Sequence, residues 1–253
     1  MAENRKRETE MIKKLNTFRK NERTGHSVFY VIFLIVCFLA VGAGFVCFRL
    51  RNGVQVKAPR DREYLSDAEV VFYRQDDERW REDRLGESKY TMGSSGCLVS
   101  CIASALSMES SMEETPGALN ERFSAKQVYD VEGNLQWGLL SEAGEYQADV
   151  YGEVSTDVIE DCLSEGHYPI VRVRMYALGN IHYVLIVGAG DGEYLCMDPL
   201  RDEITELSDY GNRVYALRCV YPADRSVQKH DAGKNIFQNM TYRRPVCCDR
   251  ITI

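Results

Sequence analysis

The chain has 253 residues and a formal net charge of −7, with 45% hydrophobic and 27% charged residues. This length accommodates one ordinary domain with additional segments. The acidic balance argues against a nucleic-acid-binding protein, because contacts to phosphates require a basic surface. The sequence contains no Gly-rich phosphate loop and no dinucleotide-binding fingerprint, so we expect no nucleotide ligand.

The N-terminal part of the chain predicts a membrane anchor. Residues 1–27 are polar with charges of both signs, which is typical of a solvated tail, although Met11, Leu15 and Phe18 also have the spacing of a short amphipathic helix. Val28–Phe48 then contains no charged residue. At 1.5 Å per residue such a helix crosses a hydrocarbon core of about 30 Å. We therefore predict an uncleaved transmembrane signal anchor at 28–48.

The charges around this segment predict its orientation. Basic residues are denser before it than after it, which favours a single-pass protein of the cell membrane with a cytoplasmic N-terminus and an extracellular C-terminal domain. Residues 49–68, which include Gly53 and Pro59, are interpreted as a stalk. The soluble domain is expected at 69–222, and 223–253 is expected to be a polar tail.

A central stretch, Thr91–Met108, predicts a buried helix that begins at a tight turn. Small residues from Gly93 to Gly96 precede an apolar run that has no charge before Glu109. Cys97 falls in the first helical turn, where the partial positive charge of a helix N-terminus favours the thiolate. The alternative is a buried structural cysteine.

The rest of the domain predicts helices followed by antiparallel strands, which is an α+β arrangement. Thr115 before Pro116 has the pattern of a helix start, and Gly190-Asp191-Gly192 has that of a hairpin turn. The predicted helices begin at Thr115, lie around Trp137–Leu140, and cover Thr156–Leu163. The predicted strands are Tyr168–Met175, Ile181–Ala189, Glu193–Met197 and Val214–Tyr221.

Two polar residues of this hairpin point to thiol chemistry. His182 is the second residue of an apolar strand, and Asp198 ends the strand predicted to pair with it. Antiparallel pairing places both at the same end of the hairpin. A Cys97–His182–Asp198 triad is therefore plausible, with the carboxylate orienting the imidazole and the imidazole holding the thiolate. The alternatives are a satisfied core histidine and an aspartate that only begins a turn.

Two further groups could donate hydrogen bonds to an oxyanion at this site. The backbone N–H of Cys97 would face a developing oxyanion, and the Gln75 side-chain amide could supply a second donor, although Gln75 could equally be a surface residue. There is no CxxC pair and no Cys/His spacing of a zinc site, so we expect neither a metal nor another cofactor.

Several motifs in order resemble the C39-like cysteine peptidases, which are papain-fold relatives of the double-glycine leader peptidases attached to bacteriocin exporters. The match covers roughly residues 70–222. The sequence departs from the family at Leu98-Val99-Ser100, where members often have a Gly-Pro-Thr/Ser run. The matching motifs are Gln75-x-Asp77-x-x-Trp80, Gly86, Gly93-Ser94-Ser95-Gly96-Cys97, His182-Tyr183-Val184 and Asp198-Pro199.

The resemblance implies a papain-like fold, with a nucleophile helix in an N-terminal helical part and a C-terminal antiparallel sheet. It implies Cys97 as nucleophile, His182 as general base and acid, Asp198 as orienting residue and Gln75 as oxyanion-hole residue. The expected function is a membrane-anchored cysteine peptidase that acts on a peptide or protein substrate. The alternatives are a catalytically silent peptide-binding domain of the same fold and a thiol-dependent amidase or acyl transferase.

Overall fold

A computed structural model describes residues 2–60, 70–110, 113–144 and 146–223. Residues 61–68 of the expected stalk and residues 224–253 of the expected C-terminal tail lie outside the described residues. The chain divides into two compact units, Met1–Arg51 and Asn52–Ile253.

The first unit is a single helix, α1 (Ala2–Leu50). Its segment Tyr30–Leu50 has 21 residues with a mean hydropathy of 2.9, and none of it is buried. This segment is long and apolar enough to span a membrane. The residues before it, which we interpreted as a tail, continue the same helix.

The second unit contains four α-helices and three short 3-10 helices within its described residues. Thr115 and Ser155 cap two of the α-helices, because their side-chain oxygens accept the backbone N–H groups of Ala118 and Val158. The α-helices are α2 (Met92–Ser95), α3 (Cys97–Glu109), α4 (Pro116–Ala125) and α5 (Thr156–Ser164), and the 3-10 helices are Trp137–Glu142, Met175–Ala177 and Leu207–Tyr210.

The described strands form a six-stranded antiparallel sheet and a separate pair, so the predicted α+β class with an antiparallel sheet is confirmed. The order in the large sheet is β2-β8-β3-β4-β5-β6, and β1 pairs with β7. The strands are β1 (Val54–Gln55), β2 (Tyr146–Tyr151), β3 (Pro169–Arg174), β4 (Ile181–Gly190), β5 (Glu193–Met197), β6 (Ile204–Glu206), β7 (Arg213–Val214) and β8 (Ala216–Pro222).

The two faces of the large sheet pack into two separate cores. Helix α3 contributes Ile102 and Leu106 to the first core, where they pack with Leu185 of β4 and Val220 of β8. Burying such a side chain stabilises the fold by about 1.5–3 kcal/mol. The opposite face carries the second core, to which α5 contributes Ile159. One face of β4 therefore packs against α3. The residues that alternate with Leu185 lie on the opposite face, which packs into the second core.

A disulfide bond joins Cys162 of α5 to Cys219 of β8. It spans 57 positions of sequence and ties the second-core helix to a central strand. The free cysteines of the described part of the chain are Cys37, Cys47, Cys97, Cys101 and Cys196.

Candidate active site

Cys97 is the first residue of α3, as the small-residue turn before it predicts. Helix α2 ends at Ser95 and is followed by Gly96, whose backbone N–H donates to the Met92 carbonyl oxygen at 2.7 Å, and α3 begins immediately after Gly96. A Cβ atom at Gly96 would lie 2.5 Å from that oxygen, so only glycine allows this close approach. The partly buried Cys97 side chain therefore sits at the positive end of the α3 dipole.

His182 and Asp198 meet at one end of the β4–β5 hairpin, as their strand positions predict. His182 Nε2 lies 2.7 Å from Asp198 Oδ1. The side chains are almost completely buried, with residue exposures of 4% for His182 and 1% for Asp198. Because Nε2 is occupied by the carboxylate, Nδ1 is the ring nitrogen left to face another group.

The second partner of the His182 ring is Cys97. Burial by itself lowers the pKa of His182, but the hydrogen bonds with Asp198 and Cys97 outweigh burial and raise the pKa from 6.5 to about 9. The charges of Cys97 and Asp198 act in the same direction. The imidazole therefore lies between a thiol and a carboxylate, an arrangement that stabilises its protonated form at neutral pH.

The Asp198 carboxylate is held by three donors. Oδ1 accepts from His182 and, at 2.8 Å, from the backbone N–H of Leu200, while Oδ2 accepts from the Tyr210 hydroxyl. Burial alone would raise the pKa of Asp198, but these hydrogen bonds hold it below its ordinary value. Asp198 is therefore ionised and fixed in orientation beside the imidazole.

Tyr210 is a site residue that the sequence analysis missed. It ends the 3-10 helix Leu207–Tyr210, is 4% exposed, and has a raised pKa because of burial and the hydrogen bond to Asp198. Gly211 follows in a left-handed conformation and terminates this helix. The chain has 15 tyrosines, and two of them, Tyr151 and Tyr210, precede a glycine, so no local sequence signal singles out Tyr210.

Gln75 is buried rather than on the surface, with 5% exposure. Its backbone N–H donates to the Pro199 carbonyl at 3.0 Å, next to Asp198, and its Nε2 donates to the Gly93 carbonyl at 2.9 Å, four positions before Cys97. The contact with a carbonyl identifies Nε2 as the nitrogen, because an oxygen there would be repelled. One amide N–H is therefore used by Gly93, and the second remains for another acceptor.

The second thiol of α3 has a different environment. Cys101 is completely buried, its Sγ lies 3.5 Å from the Tyr183 carbonyl oxygen, and burial raises its pKa well above the usual thiol value. Such a cysteine stays protonated and unreactive. In the part of the chain that the structure describes, no group of three or more His, Cys, Asp and Glu side chains could hold a metal ion.

Comparison with protein-family models, with curated proteins and with solved structures finds no match for this chain.

Proposed function

We propose that the chain is a membrane-anchored cysteine peptidase whose catalytic groups are Cys97, His182 and Gln75, with Asp198 as orienting residue. The observation that carries the proposal is the position of His182, which is hydrogen-bonded to Asp198 through Nε2 and also interacts with Cys97. A silent binding domain does not need a buried imidazole between a thiol and a carboxylate. The motif resemblance to C39-like peptidases supports this assignment, and the papain-like fold that the resemblance implies is part of the proposal.

The proposed reaction begins with the Cys97 thiolate. The thiolate attacks the carbonyl carbon of a peptide bond, and the resulting oxyanion accepts hydrogen bonds from the Gln75 amide and the Cys97 backbone N–H. The His182 imidazolium protonates the amine nitrogen as the C–N bond breaks, which leaves a thioester. Water then attacks the thioester with neutral His182 as general base, so that the acid product and the thiolate are released.

The proposed location is the cell membrane, with the N-terminus in the cytoplasm and the catalytic unit outside. The apolar segment Tyr30–Leu50 supports the anchor, and the excess of basic residues ahead of it supports the orientation. The Cys162–Cys219 disulfide also supports this orientation, because disulfides persist in oxidising compartments.

Alkylation of Cys97 tests the proposal. Full-length protein in detergent micelles is treated with iodoacetamide from pH 5 to 10, and modified cysteines are identified by mass spectrometry. Cys97→Ala gives the background from other thiols. His167→Ala is the matched control, because His167 is a partly buried histidine whose Nδ1 pairs with Glu109 at 3.0 Å.

We expect rapid labelling of Cys97 at pH 6 that slows at least tenfold in His182→Ala and not in His167→Ala. A labelling rate that rises only above about pH 8, as for an ordinary thiol, and that is unchanged in His182→Ala would refute the proposed peptidase.

A further inference from the structure

Two arginines lie on the face of the sheet that α3 covers. Arg172 of β3 is opposite Tyr183 of β4, and Arg218 of β8 is opposite Ile170 of β3. Ile170 belongs to the core under α3. Because directly opposite residues of antiparallel strands share a face, both guanidinium groups lie on the side of the sheet from which Cys97 approaches.

Neither arginine has a carboxylate partner among the residues that the structure describes. Arg172 donates to the Tyr215 carbonyl at 3.3 Å and also makes a hydrogen bond with the Tyr183 side chain. Arg218 donates to the Leu217 carbonyl at 2.6 Å and to the Tyr151 carbonyl at 3.5 Å. The Nε atoms of both are buried and make no hydrogen bond within the described part of the chain. Each guanidinium group therefore keeps donors that neutral carbonyl groups do not satisfy.

The two positive charges act on each other. Burial lowers the pKa of Arg218, Tyr183 raises it, and the charge of Arg172 lowers it. The Arg218 guanidinium carbon lies 5.4 Å from the centre of the Trp137 ring, a contact that holds the group in place. Partly buried like charges are costly unless an anion joins them, so this arrangement favours a bound anion.

Tyr183 connects the two arginines with the nucleophile. It follows His182 in β4 and lies opposite Arg172. Burial raises the pKa of Tyr183 and the charge of Cys97 raises it further, whereas the charges of Arg172 and Arg218 and a hydrogen bond from Arg172 lower it. Tyr183 therefore lies within electrostatic reach of Cys97 on one side and of both arginines on the other.

We propose that Arg172 and Arg218 form a subsite that binds a carboxylate group of the peptide substrate, either an acidic side chain or a C-terminal carboxylate. This inference rests on the proposed peptidase function and adds a substrate class to it. A planar guanidinium group binds a carboxylate through two parallel hydrogen bonds, and two adjacent groups select that anion over neutral side chains.

The test is protection of Cys97 from iodoacetamide in the full-length protein. The competitors are blocked tetrapeptides of alanine in which one Glu occupies each position in turn, the matching Gln peptides, and tetra-alanine with a free C-terminal carboxylate or a C-terminal amide. The Glu series reports an acidic side chain, and the free acid reports a terminal carboxylate. The half-protecting concentration is measured for each peptide.

We expect at least one carboxylate peptide to protect at a concentration about tenfold lower than its neutral match, since charge-assisted hydrogen bonds are the stronger kind. Arg172→Gln and Arg218→Gln should each abolish this difference in half-protecting concentration between the carboxylate peptide and its neutral match. Arg172→Lys keeps a positive charge but lacks the planar guanidinium group that makes two parallel hydrogen bonds. This variant should therefore retain only part of the preference for the carboxylate peptide. Arg84→Gln, at an exposed arginine, should leave the difference intact.

The outcomes separate the two proposals. Rapid, His182-dependent labelling without any preference for a carboxylate refutes the subsite and leaves the peptidase standing. A preference that survives both Arg→Gln variants also refutes the subsite. Slow labelling of Cys97 that is unchanged in His182→Ala refutes the proposed peptidase, and the proposed substrate class is then refuted as well.

Discussion

His182 Nε2 and Asp198 Oδ1 lie 2.7 Å apart although the residues are sixteen positions apart in the chain. The β4–β5 hairpin produces this contact through pairs such as Leu185 with Met197, with an irregularity between Ile186 and Gly188. The carboxylate meets Nε2, so Nδ1 is the ring nitrogen that remains for the hydrogen bond with Cys97.

Asp198→Asn should lower the pKa of His182 from about 9 towards or below 6.5, because the anion that stabilises the imidazolium is lost while burial remains. The chain has only four histidines, so NMR titration of [15N]histidine-labelled full-length protein can resolve the ring. Cys97→Ala should lower the same pKa by removing the other partner. An unchanged titration of His182 in Asp198→Asn would contradict the assignment.

The same shift predicts how stability depends on pH. The pKa of His182 is higher in the folded protein than its unfolded value of 6.5, so its stabilisation is complete below about pH 6.5 and disappears as the pH rises through about 9. Since one pKa unit corresponds to about 1.4 kcal/mol, the free energy of unfolding should decrease by about 3 kcal/mol across this window. Asp198→Asn should show little of this decrease in urea unfolding.

Tyr210→Phe should raise the pKa of Asp198, since the mutation removes a hydrogen-bond donor to Oδ2. The pH below which iodoacetamide no longer labels Cys97, which we call the low-pH limit, should then increase. We also expect a loss of about 1–2 kcal/mol in the free energy of unfolding, the usual cost of a buried acceptor left without its donor.

Tyr176→Phe is the matched control for Tyr210→Phe, because the Tyr176 side chain is 75% exposed. It should leave both measurements unchanged. A Tyr210→Phe protein that is less stable but keeps the wild-type low-pH limit would show that Tyr210 supports the fold without positioning Asp198.

Gln75→Ala should weaken the reversible binding of a small aldehyde such as N-acetylglycinal at least tenfold. The aldehyde forms a hemithioacetal whose oxygen occupies the oxyanion position, and the mutation removes one donor to it. Alkylation by iodoacetamide forms no oxyanion, so its rate should change less than twofold. Gln136→Ala, at an exposed glutamine, is the control. Equal losses in both reactions would indicate a packing role for Gln75.

Local patterns predicted the parts of the site that local physics determines. The small residues before Cys97 indicated the start of α3, and the turn after Gly190 indicated the hairpin that joins His182 to Asp198. The seven-residue strand β8 was also predicted. Strong periodicity and turn chemistry act within a few residues, so they are visible in a single sequence.

Contacts between distant segments were not predictable in this way. Only the family resemblance favours Gln75 as an oxyanion donor over a surface glutamine, because its bonds to Pro199 and Gly93 depend on tertiary packing. Strand β6 has only three residues and β2 has no regular alternation of buried and exposed positions, so neither carries a clear strand pattern. Tyr210 approaches Asp198 only because the chain returns after β6.

The Cys162–Cys219 disulfide encloses His182 and Asp198 within one covalent loop, whereas Cys97 lies outside it. The short 3-10 helix Met175–Ala177 also lies inside this loop, and its residue Tyr176 is exposed and has a left-handed backbone conformation. A protease that nicked the chain there would release no fragment, because both new ends would stay joined through the two sulfur atoms. Such a nick would be invisible on a non-reducing gel and would separate two pieces only after reduction.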